Sequence, residues 1–214
     1  MITEHVRIET NDGIAIEASF DVDNPARASA ILCHAHPKMG GTMNAPLLLA
    51  VRDELVRRRW AVVRFNFRGV GSSEGESSIG FDESEDAAAA VAYARERLPD
   101  APVALTGWSF GGGVAIRAIA ADAEIAACVA IAPAVTERPG LTAGLEPGRD
   151  LRLSQPVLVI CGSNDVQVSP DECRAWARDV PSAHYVEVPG ANHFFWARYD
   201  KLARMVGDWL DAQV

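Results

Sequence analysis

Basic charge, long apolar runs, paired cysteines and repeats are what this 214-residue chain has little of, and each shortage excludes something. Lys and Arg number 20 against 29 Asp and Glu, a formal net charge of −9 with no basic stripe. That balance argues against a nucleic-acid partner and against adsorption to an anionic membrane. No stretch stays apolar for the ~20 residues that a bilayer-spanning helix needs. The opening MITEHVRIET carries Glu4, Arg7 and Glu9 and lacks the apolar centre of a signal peptide, so a cytoplasmic location is expected. Cys33, Cys128, Cys161 and Cys173 form no C-x-x-C pair, and the first three fall in or beside apolar strands. They read as small core side chains in a reducing compartment, not as a zinc site or a disulfide framework. With no repeat, low-complexity tract or linker, residues 1–214 are expected to form a single domain.

What is present is an alternation of short apolar runs with helical periodicity. Residues 5–9 and 14–20 alternate apolar and polar around Asn11-Asp12-Gly13, which predicts a β-hairpin. Residues 21–27 read as a polar loop. Apolar strands are expected at 28–33, 60–67, 103–106, 125–131, 156–161 and 184–188, and helices at 47–58, 82–98, 110–121, 170–179 and 195–210. Asp82 and Glu85 have capping-box spacing, and Ser169-Pro170 reads as N-cap and first helical residue. Continuously apolar strands separated by helices predict an α/β fold with a mostly parallel central sheet covered on both faces.

The stretch VALTGWSFGGGVAI (103–116) joins one such strand to a helix through Gly107-Trp108-Ser109-Phe110-Gly111. This is the strand–turn–helix setting of a nucleophile elbow, with glycines where a Cβ would strike neighbouring backbone. Ligands of open α/β sheets sit at the carboxyl ends of the strands. Ser109, Asp165 and His193 each follow an expected strand there, in the chain order that accompanies this elbow. Serine needs a base to become a nucleophile, histidine titrates in the right range to serve, and a carboxylate fixes the imidazole tautomer. Asp171 is the nearest rival acid, but Pro170 places it inside a helix start. Each residue alone is most simply a turn residue, a cap or a surface group; the ordered set favours catalysis.

GWSFGG, CGSND and PGANHFF together resemble the α/β-hydrolase fold. HAHPKMGGTMN followed by RFNFRGVGSSEG resembles its small lidless branch, dienelactone-hydrolase- and esterase-like, with an H-P-H-P-x-x-G-G-T-M loop. The resemblance spans nearly the whole chain and departs at Ala35, where that branch commonly has Pro. It implies serine-hydrolase chemistry with Ser109, Asp165 and His193 as triad. For the oxyanion hole, Phe110 supplies one backbone N–H, and matching His34-Ala35 to the H-G of the fold points to His36 for the second, with Lys38 the alternative.

His34 and His36 share one side of an extended segment, but no second ligand set accompanies them, so loop ordering is expected and no metal or cofactor is. Gly69-x-Gly71-x-x-x-Gly75 misses dinucleotide-loop spacing and reads as a substrate-side loop tied down by Asn66 and Arg68. Residues 134–155 are too few for a large lid. The site should be open, shaped by that loop with Trp108, Phe194 and Phe195. A small-molecule acyl substrate, carried as a carboxylic ester or thioester, is the expected partner. A non-catalytic binding module, or acyl transfer or peptide cleavage by the same residues, is the alternative. The sequence leaves a homodimer open.

Overall fold

The computed structural model describes residues 1–214 except Asn24 and Arg152, which belong to the expected loops 21–27 and 134–155. The chain runs β1 (Ile2–Glu9), β2 (Ala15–Val22), β3 (Ala28–Cys33), α1 (Pro46–Arg57), β4 (Trp60–Phe65), α2 (Asp82–Arg97) and β5 (Val103–Trp108). It continues through α3 (Phe110–Ala121), β6 (Ala127–Ile131), β7 (Val157–Gly162), α4 (Pro170–Arg178), β8 (Ala183–Val188) and α5 (Tyr199–Asp211). The eight strands among the described residues join one sheet in the order β1-β2-β4-β3-β5-β6-β7-β8. The β1–β2 hairpin is antiparallel and meets β4 antiparallel; from β4 to β8 every pairing is parallel.

The apolar strands β3 to β7 are buried along their whole length because helices cover both faces. Leu48, Val51 and Leu55 of α1 meet Val206 and Leu210 of α5 on one face. Ile116 and Ile119 of α3, with Ala87 and Ala90 of α2 and Trp176 of α4, fill the other. Each fully buried Leu, Ile or Val contributes roughly 1.5–3 kcal/mol. Neighbouring β3 and β5 send their following helices to opposite faces, so a crevice opens between their carboxyl ends. Among the described residues there is no large cap, and no helix is long and apolar enough to cross a membrane. All four cysteines are free and buried.

Three local expectations need correction. Strand β2 runs on to Val22, so Asp21 is not in a polar loop but fully buried. Its carboxylate accepts from Arg64 Nε at 2.7 Å and from Thr3 Oγ1 at 2.6 Å, which satisfies a charge that burial would otherwise penalise. Arg64 also donates to Asn44 Oδ1 at 2.8 Å, fixing the segment ahead of α1. The capping box at Asp82 does not form: Phe81 is the N-cap, without a side-chain cap. Buried Glu83 acts instead, accepting from the amides of Ser78 (2.7 Å) and Gly80 (2.9 Å) as they enter the helix. The last helix begins at Tyr199, not 195, because Phe195 and Ala197 adopt φ of +51° and +58°, incompatible with a helix.

Removing one member of the buried pair strands the other's charge. Asp21→Ala should lower stability by roughly 3–5 kcal/mol, and Asp21→Ala with Arg64→Met should recover much of it. Urea denaturation midpoints of the two variants provide the check.

Candidate active site

Ser109 sits on the turn between β5 and α3 with φ +57° and ψ −116°, a region that costs a non-glycine residue about 1–3 kcal/mol. Its main chain is held on both sides. The Ser109 amide donates to Ile131 O at 2.8 Å, and its carbonyl accepts from Gly112 at 3.0 Å and Ala134 at 3.1 Å. The flanking glycines are required by space. A Cβ on Gly107 would lie 2.1 Å from the Gly111 carbonyl oxygen, and one on Gly111 would lie 2.3 Å from that of Cys33. The turn is therefore pressed against the end of β3.

His193 and Asp165 arrive from the ends of β8 and β7. His193 Nδ1 donates to Asp165 Oδ2 at 2.7 Å, and Nε2 faces Ser109 Oγ at 3.1 Å. The other carboxylate oxygen, Oδ1, accepts from the amides of Gln167 and Val168, each at 2.8 Å. Those bonds orient the carboxylate and satisfy it in a buried position, where its side chain is 0% exposed. Trp108 Nε1 donates to the carbonyl of His193 at 3.1 Å, tying the loop after β8 to the residue before Ser109. Ser109, Asp165 and His193 thus form one hydrogen-bonded chain, whereas exposed Asp171 pairs with Arg174.

The loop after β3 closes on itself and on the elbow. His36 caps a turn of 3₁₀ helix at Pro37–Met39, and its carbonyl accepts from Gly41 at 3.0 Å. A Cβ on Gly41 would lie 1.9 Å from Ala35 O, so the loop closes only over glycine. The amide of Lys38 already donates to His36 Nδ1 at 3.0 Å, so it is committed within the loop. The amides of Phe110 and His36 have no acceptor among the described residues. The imidazoles order the loop: His36 Nε2 donates to Leu141 O at 2.7 Å, His34 Nδ1 to Ala35 O at 2.6 Å, and His34 Nε2 accepts from Phe67 N at 3.0 Å. No group of three or more His, Cys, Asp or Glu suited to a metal occurs among the described residues.

A cleft of about 370 Å³ opens beside Ser109 and His193. Trp108, Phe194, Trp196, Tyr199 and Met39 line it. Phe195 does not: its side chain is fully buried in the α1–α5 core, because the positive-φ turn points it inward. Trp196 takes its place, stacked on Phe194 with ring centroids 5.0 Å apart and planes 11° apart. Two successive turns, closed by Phe195 N on Asn192 O and Arg198 N on Phe195 O, each at 3.0 Å, bring residues 194 and 196 together, an arrangement obscured by expecting a helix from 195. A smaller recess of about 70 Å³ also meets Ser109 and shares His36, Met39 and Gln167 with the cleft. Segment 69–75 lines neither space. Its Ser72 and Glu74 amides donate to Glu17 Oε2 and Ala15 O, each at 2.9 Å, so it lies along β2 and not beside the cleft. Asn66 and Arg68 do anchor their surroundings, Asn66 on Glu17 at 2.8 Å and Arg68 on Asp86 at 2.8 Å and Asp12 at 2.8 Å.

Burial pushes the His34 imidazole down from 6.5 to about 4, and burial lowers His36 as well. The unfolded chain therefore takes up more protons than the folded one between these values, and stability must fall as pH drops from 6.5 toward 4. His34→Gln should flatten part of that fall. Thermal melts of both proteins across this range provide the measurement.

Comparison with known proteins bears on the fold. A family model for the alpha/beta hydrolase fold matches residues 31–152. An uncharacterised protein of Rickettsia prowazekii is 30% identical over 87% of this chain and 80% of its own length. Among solved structures, an alpha-beta serine hydrolase homologue from Coxiella burnetii is 27% identical with a TM-score of 0.86, covering 98% of each chain. A serine hydrolase without lid from Xanthomonas campestris is also 27% identical, with a TM-score of 0.85 over 98% of this chain and 94% of that one. Sheet order, elbow and family match converge, and the chain belongs to the alpha/beta hydrolase fold family.

Proposed function

We propose that this protein is a serine hydrolase that cleaves small to medium carboxylic esters or thioesters through an acyl-enzyme on Ser109. The observation that carries the reading is the unbroken chain from Asp165 Oδ2 through His193 to Ser109 Oγ, with links of 2.7 and 3.1 Å. The solved relatives described as serine hydrolases, one of them without a lid, support the same chemistry.

In the first step Ser109 Oγ bonds to the acyl carbon while His193 Nε2 takes the hydroxyl proton. Asp165 holds the imidazole with Nδ1 protonated and stabilises the imidazolium that forms. The carbonyl oxygen becomes an alkoxide, and the unpartnered amides of Phe110 and His36 are the donors for it, each worth roughly 3 kcal/mol at the transition state. Collapse breaks the bond to the leaving oxygen or sulfur, which receives the proton from His193. Water then repeats the sequence on the acyl-enzyme, giving the carboxylic acid and free Ser109. His34 and His36 are held neutral by burial, so the backbone donors and not an imidazolium in this loop provide the stabilisation.

With p-nitrophenyl acetate and a fluorophosphonate probe, the wild type should turn over and become labelled, and Ser109→Ala should do neither. Asp165→Asn should keep its fold but lose about 10⁴ in kcat. A folded wild type showing neither turnover nor labelling would overturn the proposal in favour of a binding module.

A further inference from the structure

The two recesses that meet at Ser109 differ about fivefold in volume, and only the larger reaches His193. We infer that they divide an ester between them: a short acyl group enters the small recess, and a large apolar or aromatic leaving group occupies the cleft. This deepens the hydrolase reading and rests on it.

The assignment follows from where the four substituents of the tetrahedral carbon must lie. One is Ser109 Oγ. The second, the oxyanion, is directed at the amides of Phe110 and His36. The third, the leaving oxygen, must come within hydrogen-bond reach of His193 Nε2 to collect the proton as its bond to carbon breaks. His193 lines the cleft of about 370 Å³ and not the small recess, so the leaving group departs through the cleft. The acyl chain is left with the small recess, among Phe110, Ala134, Leu141 and Val168, which do not line the cleft.

Size then sets the chemistry. A single water needs ~10–15 Å³ of such space, so about 70 Å³ admits only a few non-hydrogen atoms, an acetyl to about a butyryl group. The wall is fixed by its main chain. Leu141 N donates to Arg138 O at 2.9 Å, and its carbonyl accepts from His36 Nε2 at 2.7 Å. The cleft lies in the ~300–1,000 Å³ range of small-molecule sites. At its mouth Trp196 is 63% and Met39 67% exposed, large apolar side chains that a bound aromatic group would cover. Trp196 and Phe194, stacked face to face, present a flat surface to such a ring.

Two ester series separate the halves. At constant leaving group, kcat/KM for 4-nitrophenyl acetate, butyrate and octanoate should fall by about tenfold or more at octanoate, and Leu141→Ala should largely restore it. At constant acyl group, 2-(2-naphthyl)ethyl acetate should exceed ethyl acetate by about tenfold, although the two alkoxides are similarly basic, and Trp196→Ala should shrink that ratio. Octanoate accepted as well as acetate by the wild type, or no naphthyl preference, would overturn the division even should Leu141→Ala fail to fold. A naphthyl preference that survives Trp196→Ala would likewise overturn it. Either result leaves Ser109-dependent hydrolysis standing. Absence of all ester turnover and of Ser109 labelling instead removes the hydrolase reading itself.

Discussion

Two stretches of main chain meet where strands β3 and β5 leave the sheet, and most of the site follows from how closely they approach. Cys33 and Gly107 are paired in the sheet, and from there one chain turns to α1 on one face and the other to α3 on the opposite face. At the crossing, the carbonyls of Cys33 and His34 lie so near Gly111 that no Cβ fits. This contact sets the elbow's tightness, hence the positive φ of Ser109. His36 and Phe110 also come together there, their rings 4.7 Å apart. Glycine at 41 then lets the His36 loop close over Ala35. Spatial economy in the backbone, more than side-chain chemistry, assembles this half of the site.

The other half is oriented by donors that leave little choice. Two amides at the start of the α4 approach hold one oxygen of Asp165, so the second is free for His193 alone. The imidazole is thereby fixed in one tautomer, with the remaining nitrogen toward Ser109. Residues beyond these are structural in a specific way. His36 joins the loop after β3 to segment 134–155 through Leu141, so two walls of the same space share one hydrogen bond.

The sheet, its parallel majority and the elbow were legible because each rests on a local signal that burial enforces. Apolar runs such as 103–106 and 156–161 are uninterrupted since both faces are covered, and the glycines around Ser109 mark a turn no other residue fits. The bringing together of Ser109, Asp165 and His193 was legible only as order along the chain; distances between loops over 80 residues apart have no local signature. Phe195 misled because an apolar residue beside a histidine reads equally as pocket or core, and the positive φ that turns it inward belongs to a residue type that seldom adopts one. Glu83 was missed for a related reason. Its position inside the first helical turn looks like ordinary dipole complementarity, whereas burial converts it into the receptor for a whole preceding loop. Segment 69–75 was misplaced because glycine spacing reports backbone shape and not what the loop faces.

The indole of Trp108 donates across to the carbonyl of His193, joining the central strand to the turn that follows the edge strand β8. An edge element would ordinarily fray independently of the middle of a sheet. Here His193 cannot leave its place without breaking a bond to Trp108, the residue next to Ser109, and Phe194 packs its ring on the same indole. Peripheral and central parts are thereby enrolled in one opening event. Protection of the backbone from solvent exchange should therefore extend outward to the histidine turn at a level closer to that of β5 than to that of the sheet's rim.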